Sequence, residues 1–215
     1  RLIDYELYTE RAELLAREFH HVFLVYQGSA LSLQQRLRGQ KMDPHKAWKI
    51  LRPVFVQVAS YHQQNLCSGC FSLRDIDSPP GQPCHLSHFS PTAYQEAHHK
   101  LGGGRGILND YGTAPEVLHQ PEPTSLSDQA VLGRILFEVV HGGNYPDPVL
   151  RQHIRLLGEP HSNRTFAPHL QPLGPLTPIF YRMAHSDPAQ RYPRLEEAIA
   201  AVDAVTRASG PSQPA

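Results

Sequence analysis

The most apolar stretch of this chain, residues 127–140, has the spacing of a helix that is buried on most of its surface. Its apolar residues recur at intervals of three and four, which is the period of an α-helix. They are Val131, Leu132, Ile135, Leu136, Val139 and Val140. Ser127 or Asp128 can serve as the N-cap, and the Gly-Gly pair after His141 can supply a left-handed C-cap. A helix that is apolar on so many sides belongs inside a domain, so the sequence predicts a buried central helix.

Length and composition limit the class of protein. The chain has 215 residues, of which 40% are hydrophobic and 19% charged, which suits one domain with its own core. Lys plus Arg and Asp plus Glu each number 20, so the formal net charge is zero. This balance argues against a general nucleic-acid or anionic-membrane binder. No apolar run has the length of a membrane span or the pattern of a signal peptide, and three cysteines are too few for a disulfide framework. We therefore expect a cytoplasmic protein with no membrane span and no nucleic-acid partner.

Three short motifs follow one another in a recognisable order. Asp128 and Gly133, followed by the run Ile-Leu-Phe-Glu-Val-Val, resemble the central helix of the protein kinase large lobe. The Ala-Pro-Glu sequence that ends at Glu116 resembles the close of a kinase activation segment. The Asp-Pro-x-x-Arg sequence that ends at Arg191 resembles a segment near the kinase C-terminus. Together they give the chain a resemblance to the protein kinase superfamily over roughly residues 22–203.

The resemblance implies an α+β fold that is mostly α. Residues 29–207 would form a protein kinase-like C-lobe, and residues 1–28 a reduced N-lobe remnant that ends at the hinge. Within that remnant, apolar spacing predicts a helix at residues 5–19, and a β-branched and aromatic run predicts a strand at residues 21–26. Residues 208–215 would form a disordered tail.

The remaining segments give further helices and loops. Helices are predicted at residues 31–37, 44–63, 149–157, 175–185 and 195–206. Asp43 is a cap before Pro44 in the second of these, and Pro53 inside it should cause a kink or a later start. The Pro/Gly-rich residues 77–84 should form a turn between two short strands. Residues 159–175, rich in Pro, His and Asn, should form a long surface loop.

The positions that carry out chemistry in protein kinases hold other residues here. By the resemblance, the kinase sequence His-Arg-Asp-Leu-Lys-Pro-Glu-Asn corresponds to residues 68–75. Cys70 then replaces the catalytic-base aspartate, Ser72 the lysine and Asp75 the metal-binding asparagine, while His88 replaces the metal-binding aspartate further on. Phosphoryl transfer needs metal-holding carboxylates, a lysine at the phosphates and a base that orients the acceptor hydroxyl. The resemblance therefore implies no catalytic residues and no cofactor.

Phosphate-binding sequences are also missing from their expected places. Residues 1–40 contain no lysine, and no Gly-x-Gly-x-x-Gly sequence precedes the first predicted helix. The glycine-rich residues 102–106 follow no predicted strand and would lie in the middle of the activation segment, so they indicate a loop. We therefore do not expect ATP binding.

The residues that support the kinase framework are, in contrast, present. By the resemblance, Glu116 and Arg191 form a buried ion pair, and a bidentate Arg–carboxylate pair is suited to locking two loops together. Asp128 would accept backbone hydrogen bonds from the catalytic loop, or act as a plain N-cap, and Gly133 would keep a structural role. The implied protein is a pseudokinase, a protein-interaction scaffold or allosteric regulator in signalling. Its partner would be another protein, such as an active kinase or a second copy of the chain.

Two other functions remain open from the sequence. Cys67, Cys70, Cys84 and His88 have the spacing C-x2-C…C-x3-H, which is acceptable for a tetrahedral zinc site. The chain would then be a zinc-stapled structural module. The other alternative is an atypical nucleotide-dependent phosphotransferase that uses Asp75 as a lone carboxylate.

Overall fold

The chain folds as a mostly helical α+β protein. The computed structural model describes residues 2–12, 17–26, 31–87, 113–118, 123–143, 153–154 and 156–208. The strands are β1 (Leu2–Ala12), β2 (Arg17–Tyr26), β3 (Ile76–Asp77) and β4 (His85–Leu86). The α-helices are α1 (Leu33–Leu37), α2 (Pro44–His62), α3 (Ser125–Val140), α4 (Pro160–Phe166), α5 (Thr177–Met183) and α6 (Leu195–Ala208). The 3-10 helices are Pro115–Leu118, Ala167–Leu176 and Pro188–Gln190. Within these ranges, none of the helices is both long and apolar enough to cross a membrane.

The first 26 residues differ from the prediction. β1 and β2 form an antiparallel sheet in which Leu7 pairs with Val22, so the helix predicted at residues 5–19 is wrong. The strand predicted at residues 21–26 is confirmed within β2. The physical reason is a period-2 pattern that the helical spacing obscured, since Ile3, Tyr5 and Leu7 alternate with charged residues. A β-branched run needs a hydrogen-bonding partner, and β1 supplies it.

The buried central helix is confirmed as α3. All its residues from 127 to 140 are buried. The predicted N-cap at Ser127 or Asp128 is wrong, however: the N-cap is Thr124, which forms a capping box with Ser127, and the helix begins at Ser125. Thr124 Oγ1 accepts from the Ser127 N–H at 3.3 Å, and Ser127 Oγ accepts from the Thr124 N–H at 3.1 Å. Asp128 therefore lies inside the first turn, where its side chain is available to contacts outside the helix.

The core surrounds α3. Helix α2 packs against α3 and α6, and α5 packs against α3. Phe137 of α3 meets Phe166 and Phe180 with ring centroids 5.0 and 5.5 Å apart. Gly133 lets α5 approach α3 closely, because a Cβ there would lie 3.1 Å from Met183 Cβ. An aromatic cluster of this size contributes much of the apolar burial that holds the helices together.

The two short strands and most predicted helices are present with small shifts at their ends. Asp43 caps α2 through hydrogen bonds from the His45 and Lys46 N–H groups at 2.9 and 3.2 Å. Helix α2 runs from Pro44 through Pro53 without interruption, so the later start is wrong. Of the helix predicted at residues 149–157, residues 153 and 154 are helical, and residues 149–152 lie outside the described ranges. The predicted tail also lies outside them, apart from Ala208 at the end of α6.

The long surface loop predicted at residues 159–175 is wrong. This segment forms α4 and the 3-10 helix Ala167–Leu176. Proline fits the first turn of a helix, where its missing N–H costs nothing, and Pro160 occupies such a position. The apolar side chains recur every three or four residues and are buried. They are Phe166, Leu170, Leu173 and Leu176.

A close backbone approach follows α3 and gives a testable prediction. Gly142 has φ 84°, and a Cβ there would lie 2.5 Å from the carbonyl carbon of Gly39. Gly81 has a similar φ of 71° but open space around it. In Gly81→Ala we expect the left-handed backbone alone to cost about 1 kcal/mol. In Gly142→Ala the overlap with backbone should add about 1–3 kcal/mol, measured by urea unfolding. Equal losses in the two variants would contradict this packing.

Candidate functional site

Asp128 is the centre of the candidate site. Its side chain is fully buried, and Oδ1 accepts hydrogen bonds from the Gly69 N–H at 2.6 Å and the Ser68 N–H at 3.2 Å. Its Oδ2 lies 2.9 Å from His62 Nε2, at the C-terminal end of α2. A buried carboxylate must be paired or hydrogen-bonded, and these three groups satisfy that need. Asp128 thus ties α2 and α3 to the segment that we name the cysteine loop, residues 66–75.

A second buried contact lies between Glu116 and Arg191. The Arg191 guanidinium donates through Nη1 to Glu116 Oε1 at 2.6 Å and through Nη2 to Oε2 at 2.9 Å. It also donates to the backbone carbonyls of His185 at 2.8 Å and Leu126 at 2.7 Å. Arg191 is only 3% exposed. The structure thus brings together the two residues that the kinase resemblance pairs, in the bidentate geometry suited to a buried guanidinium.

The electrostatics of this pair favour its charged form. Burial is the largest single influence on the pKa of Glu116 and acts to raise it. The hydrogen bonds and the positive charge of Arg191, with smaller contributions from the Glu116 backbone and the Ser127 side chain, together outweigh burial, so the pKa of Glu116 lies below its ordinary value. Glu116 is therefore ionised at neutral pH, and the 3-10 helix that carries it is locked to the segment around Arg191.

The cysteine loop is also held from its other side. Cys70 and Thr113 form a β-bridge, and the Ala114 N–H donates to the Gly69 carbonyl at 2.9 Å. The Thr113 hydroxyl lies 3.3 Å from Cys70 Sγ, and Arg134 of α3 donates to the Thr113 carbonyl at 2.9 Å. Thr113 and His62 have no predicted role in the site, because their roles depend on contacts distant in sequence.

Ser72 and Asp75 are brought together within the loop. Asp75 Oδ2 accepts from the Ser72 N–H at 2.7 Å and from its hydroxyl at 2.9 Å. The Asp75 carbonyl accepts from the Ser87 N–H at 2.8 Å, next to the β3–β4 pair. This arrangement is a local side-chain-to-backbone turn. Through this turn the Asp75 carboxylate is hydrogen-bonded to Ser72 within the same loop. His88 lies outside the described residues.

The three cysteines have different neighbours. None of the three forms a disulfide. Cys70 contacts Thr113, and the buried Cys84 lies 3.2 Å from Ser78 Oγ. Burial, with the charge of Asp128 as a smaller cause, raises the pKa of Cys67 to about 11. Among the described residues, the three-residue group with ligand atoms within 4.8 Å of one another is His62, Cys67 and Asp128. The predicted zinc ligands Cys67, Cys70 and Cys84 do not form such a group.

A cavity of about 340 Å³ lies away from these residues, between α1 and the first turns of α2. Its walls combine apolar side chains with three cations and one carboxylate. The lining residues include Leu33, Leu37, Met42, Ile50, Arg36, Lys41, Lys46 and Asp43. No residue of the cysteine loop lines it. The structure therefore gives Cys70 and Asp75 no part in this cavity.

No model of a known protein family matches the sequence, and no curated protein matches it either. What the site can do follows from its geometry. In the cysteine loop, residues 66–75, Asp75 is the carboxylate, and one of its oxygens is already occupied by two hydrogen bonds from Ser72. The loop is positioned by buried hydrogen bonds, and its side chains include the Cys70 thiol and the Ser68 and Ser72 hydroxyls.

Proposed function

We propose that this chain is a catalytically inactive, kinase-like (pseudokinase) domain that acts by binding other proteins, as a scaffold or allosteric regulator in signalling. One observation carries the proposal: the residues that support the kinase framework by resemblance make buried contacts, whereas the cysteine loop holds other residues at the positions that carry out chemistry in protein kinases. The contacts are Glu116 with Arg191, and Asp128 with the backbone of Ser68 and Gly69. Glu116, Asp128 and Arg191 each belong to a motif through which the chain resembles the large lobe of protein kinases.

The local chemistry supports loss of catalysis. A thiol at the position of Cys70 cannot replace a carboxylate that orients a hydroxyl, and its contact with Thr113 joins it to the neighbouring segment. Ser72 cannot neutralise a phosphate as a lysine does. In an atypical phosphotransferase, Asp75 would have to hold a metal ion. Its Oδ2 is instead the acceptor that closes the turn with Ser72, which disfavours this alternative.

The partners that we propose are proteins. A formal net charge of zero gives no general attraction to nucleic acid. An active kinase or a second copy of this chain would fit an allosteric role, since a domain without chemistry can act only through differential binding to two states of its partner. We expect a cytoplasmic location, because a reducing compartment keeps the three cysteines out of disulfides.

Thermal unfolding tests the proposal, because a bound nucleotide would raise the Tm. The Tm is measured in ATP with Mg²⁺, with Mn²⁺, or with a chelator. A nucleotide at about 100 times its Kd would stabilise a fold by about 2.7 kcal/mol. For a chain of this size that corresponds to a Tm rise of about 5–11 °C. We expect no metal-dependent rise at millimolar ATP. A clear rise that requires Mg²⁺ or Mn²⁺ would favour the phosphotransferase and overturn the proposal.

A further inference from the structure

The three residues around Asp128 combine the ligand types that zinc prefers. His62 offers an imidazole nitrogen, Cys67 a sulfur and Asp128 a carboxylate oxygen, and these atoms all lie within 4.8 Å of one another. Cys, His and Asp are all established zinc ligands, and a mixture of soft and hard donors suits zinc better than magnesium or calcium. The group is distinct from the zinc ligands predicted from sequence spacing, with which it shares only Cys67.

The geometry is close to that of a tetrahedral centre. Bonds of about 2.0–2.3 Å at tetrahedral angles would put the ligand atoms about 3.3–3.6 Å apart. His62 Nε2 and Asp128 Oδ2 are already 2.9 Å apart. The ligand atoms all lie within 4.8 Å of one another, so a movement of the half-buried Cys67 by about 1–1.5 Å is enough to complete the set. Three protein ligands leave a fourth position for water.

Asp128 is already held in the orientation that a metal ligand requires. Its Oδ1 accepts from the Gly69 N–H at 2.6 Å, while Oδ2 lies 2.9 Å from His62 Nε2 and also accepts from the Ser68 N–H at 3.3 Å. Hydrogen bonds that orient a ligating carboxylate are typical of the surroundings of metal sites. The side chain of Asp128 is fully buried and that of His62 is 11% exposed, so these two ligands are largely shielded from water, while Cys67 is half-buried.

We propose that His62, Cys67 and Asp128 form a zinc site that staples the end of α2 and the cysteine loop to α3. Zn²⁺ would bind the Cys67 thiolate, His62 Nε2 and Asp128 Oδ2. The thiol proton passes to solvent, and the imidazole proton resides on Nδ1. The site does not depend on the proposed function, since a structural staple would fix the cysteine loop whatever its role.

Cobalt substitution tests the site directly. The purified full chain is stripped with a chelator, exchanged into metal-free buffer and titrated with Co²⁺, then with Zn²⁺ in competition. We expect one Co²⁺ per chain, with an absorption band from thiolate-to-cobalt charge transfer that Zn²⁺ abolishes. In Cys67→Ser the band should disappear. In His62→Gln metal affinity should fall at least about tenfold, since even the loss of residues behind the ligands has effects of that size.

Two further variants separate this site from the set predicted by spacing. Cys84→Ser and Cys70→Ser should keep the band and the affinity, because both cysteines lie outside the proposed group. Circular dichroism checks that each variant is folded. Failure of the unsubstituted chain to bind one Co²⁺ would overturn the proposal. Loss of binding in Cys84→Ser, with His62→Gln unaffected, would overturn it in favour of the other cysteines.

Discussion

Replacing Arg191 with alanine is expected to lower the free energy of unfolding by about 3–5 kcal/mol, the usual cost of breaking a buried ion pair from one side. The Arg191 side chain is fully buried, and the Glu116 side chain is 16% exposed. Removing the cation would take from this carboxylate its charged partner, and from the carbonyls of Leu126 and His185 the guanidinium that donates to them. In Arg191→Lys we expect an intermediate loss, because a single ammonium cannot reproduce the two parallel hydrogen bonds. Urea unfolding measures both.

The matched control is Arg194→Ala, three residues away. Arg194 pairs with Glu197 at 3.3 Å, and its side chain is 73% exposed. An exposed pair of this kind contributes at most about 1 kcal/mol. Losses of equal size in Arg191→Ala and Arg194→Ala would show that the Glu116 contact does not hold the two segments together.

In Asp128→Ala the free energy of unfolding should fall by a similar amount, about 3–5 kcal/mol. The substitution leaves two buried N–H groups without an acceptor, which costs about 1–3 kcal/mol for each, and it removes the partner of His62. In Asp128→Asn the side-chain oxygen can still accept from Gly69, so we expect a smaller loss. Urea unfolding in the presence of a chelator measures the difference. Hydrogen exchange should show faster exchange at Ser68 and Gly69 in Asp128→Ala.

Asp43→Ala is the control, since Asp43 also accepts two backbone hydrogen bonds but is exposed. Loss of an exposed N-cap costs about 1 kcal/mol. If Asp128→Ala costs no more than Asp43→Ala, with unchanged exchange at Ser68 and Gly69, Asp128 does not anchor the cysteine loop.

The elements that the sequence predicts well are those whose signal is local. Helix α3 is apolar through most of its length, and Asp43 followed by Pro44 marks the start of α2. The start of α3 is mispredicted, since the sequence patterns place the cap at Ser127 or Asp128, whereas Thr124 is the N-cap and forms a capping box with Ser127. Local signals of this kind fix the existence of a helix better than its ends.

The elements that the sequence mispredicts depend on contacts between distant residues. The segment at residues 5–19 carries both a helical and a period-2 pattern, and pairing with β2 decides between them. The Pro-rich residues 159–175 resemble a loop by composition, but Phe166 packs on Phe137 and makes the segment part of the core.

The candidate site was only partly predictable, because its contacts also join residues that are far apart in the sequence. The resemblance paired Glu116 with Arg191 through two motifs 75 residues apart, and the structure brings them together. The spacing of Cys67, Cys70 and Cys84 did not reveal that each has a different neighbour. His62 is the last residue of α2 and lies four residues before Leu66, where the cysteine loop begins. Only the fold brings His62 to Asp128.

The most direct test of the central claim is a single-turnover phosphoryl-transfer measurement. The full chain, in excess over γ-labelled ATP, is incubated with Mg²⁺ or Mn²⁺ and a general protein acceptor, beside a sample with chelator. Asp75→Asn removes the lone carboxylate of the cysteine loop, and Asp77→Asn, in β3, is its control. We predict no label transfer above the chelator sample for any of the three proteins. Metal-dependent transfer by the unsubstituted chain and Asp77→Asn that is lost in Asp75→Asn would contradict the account.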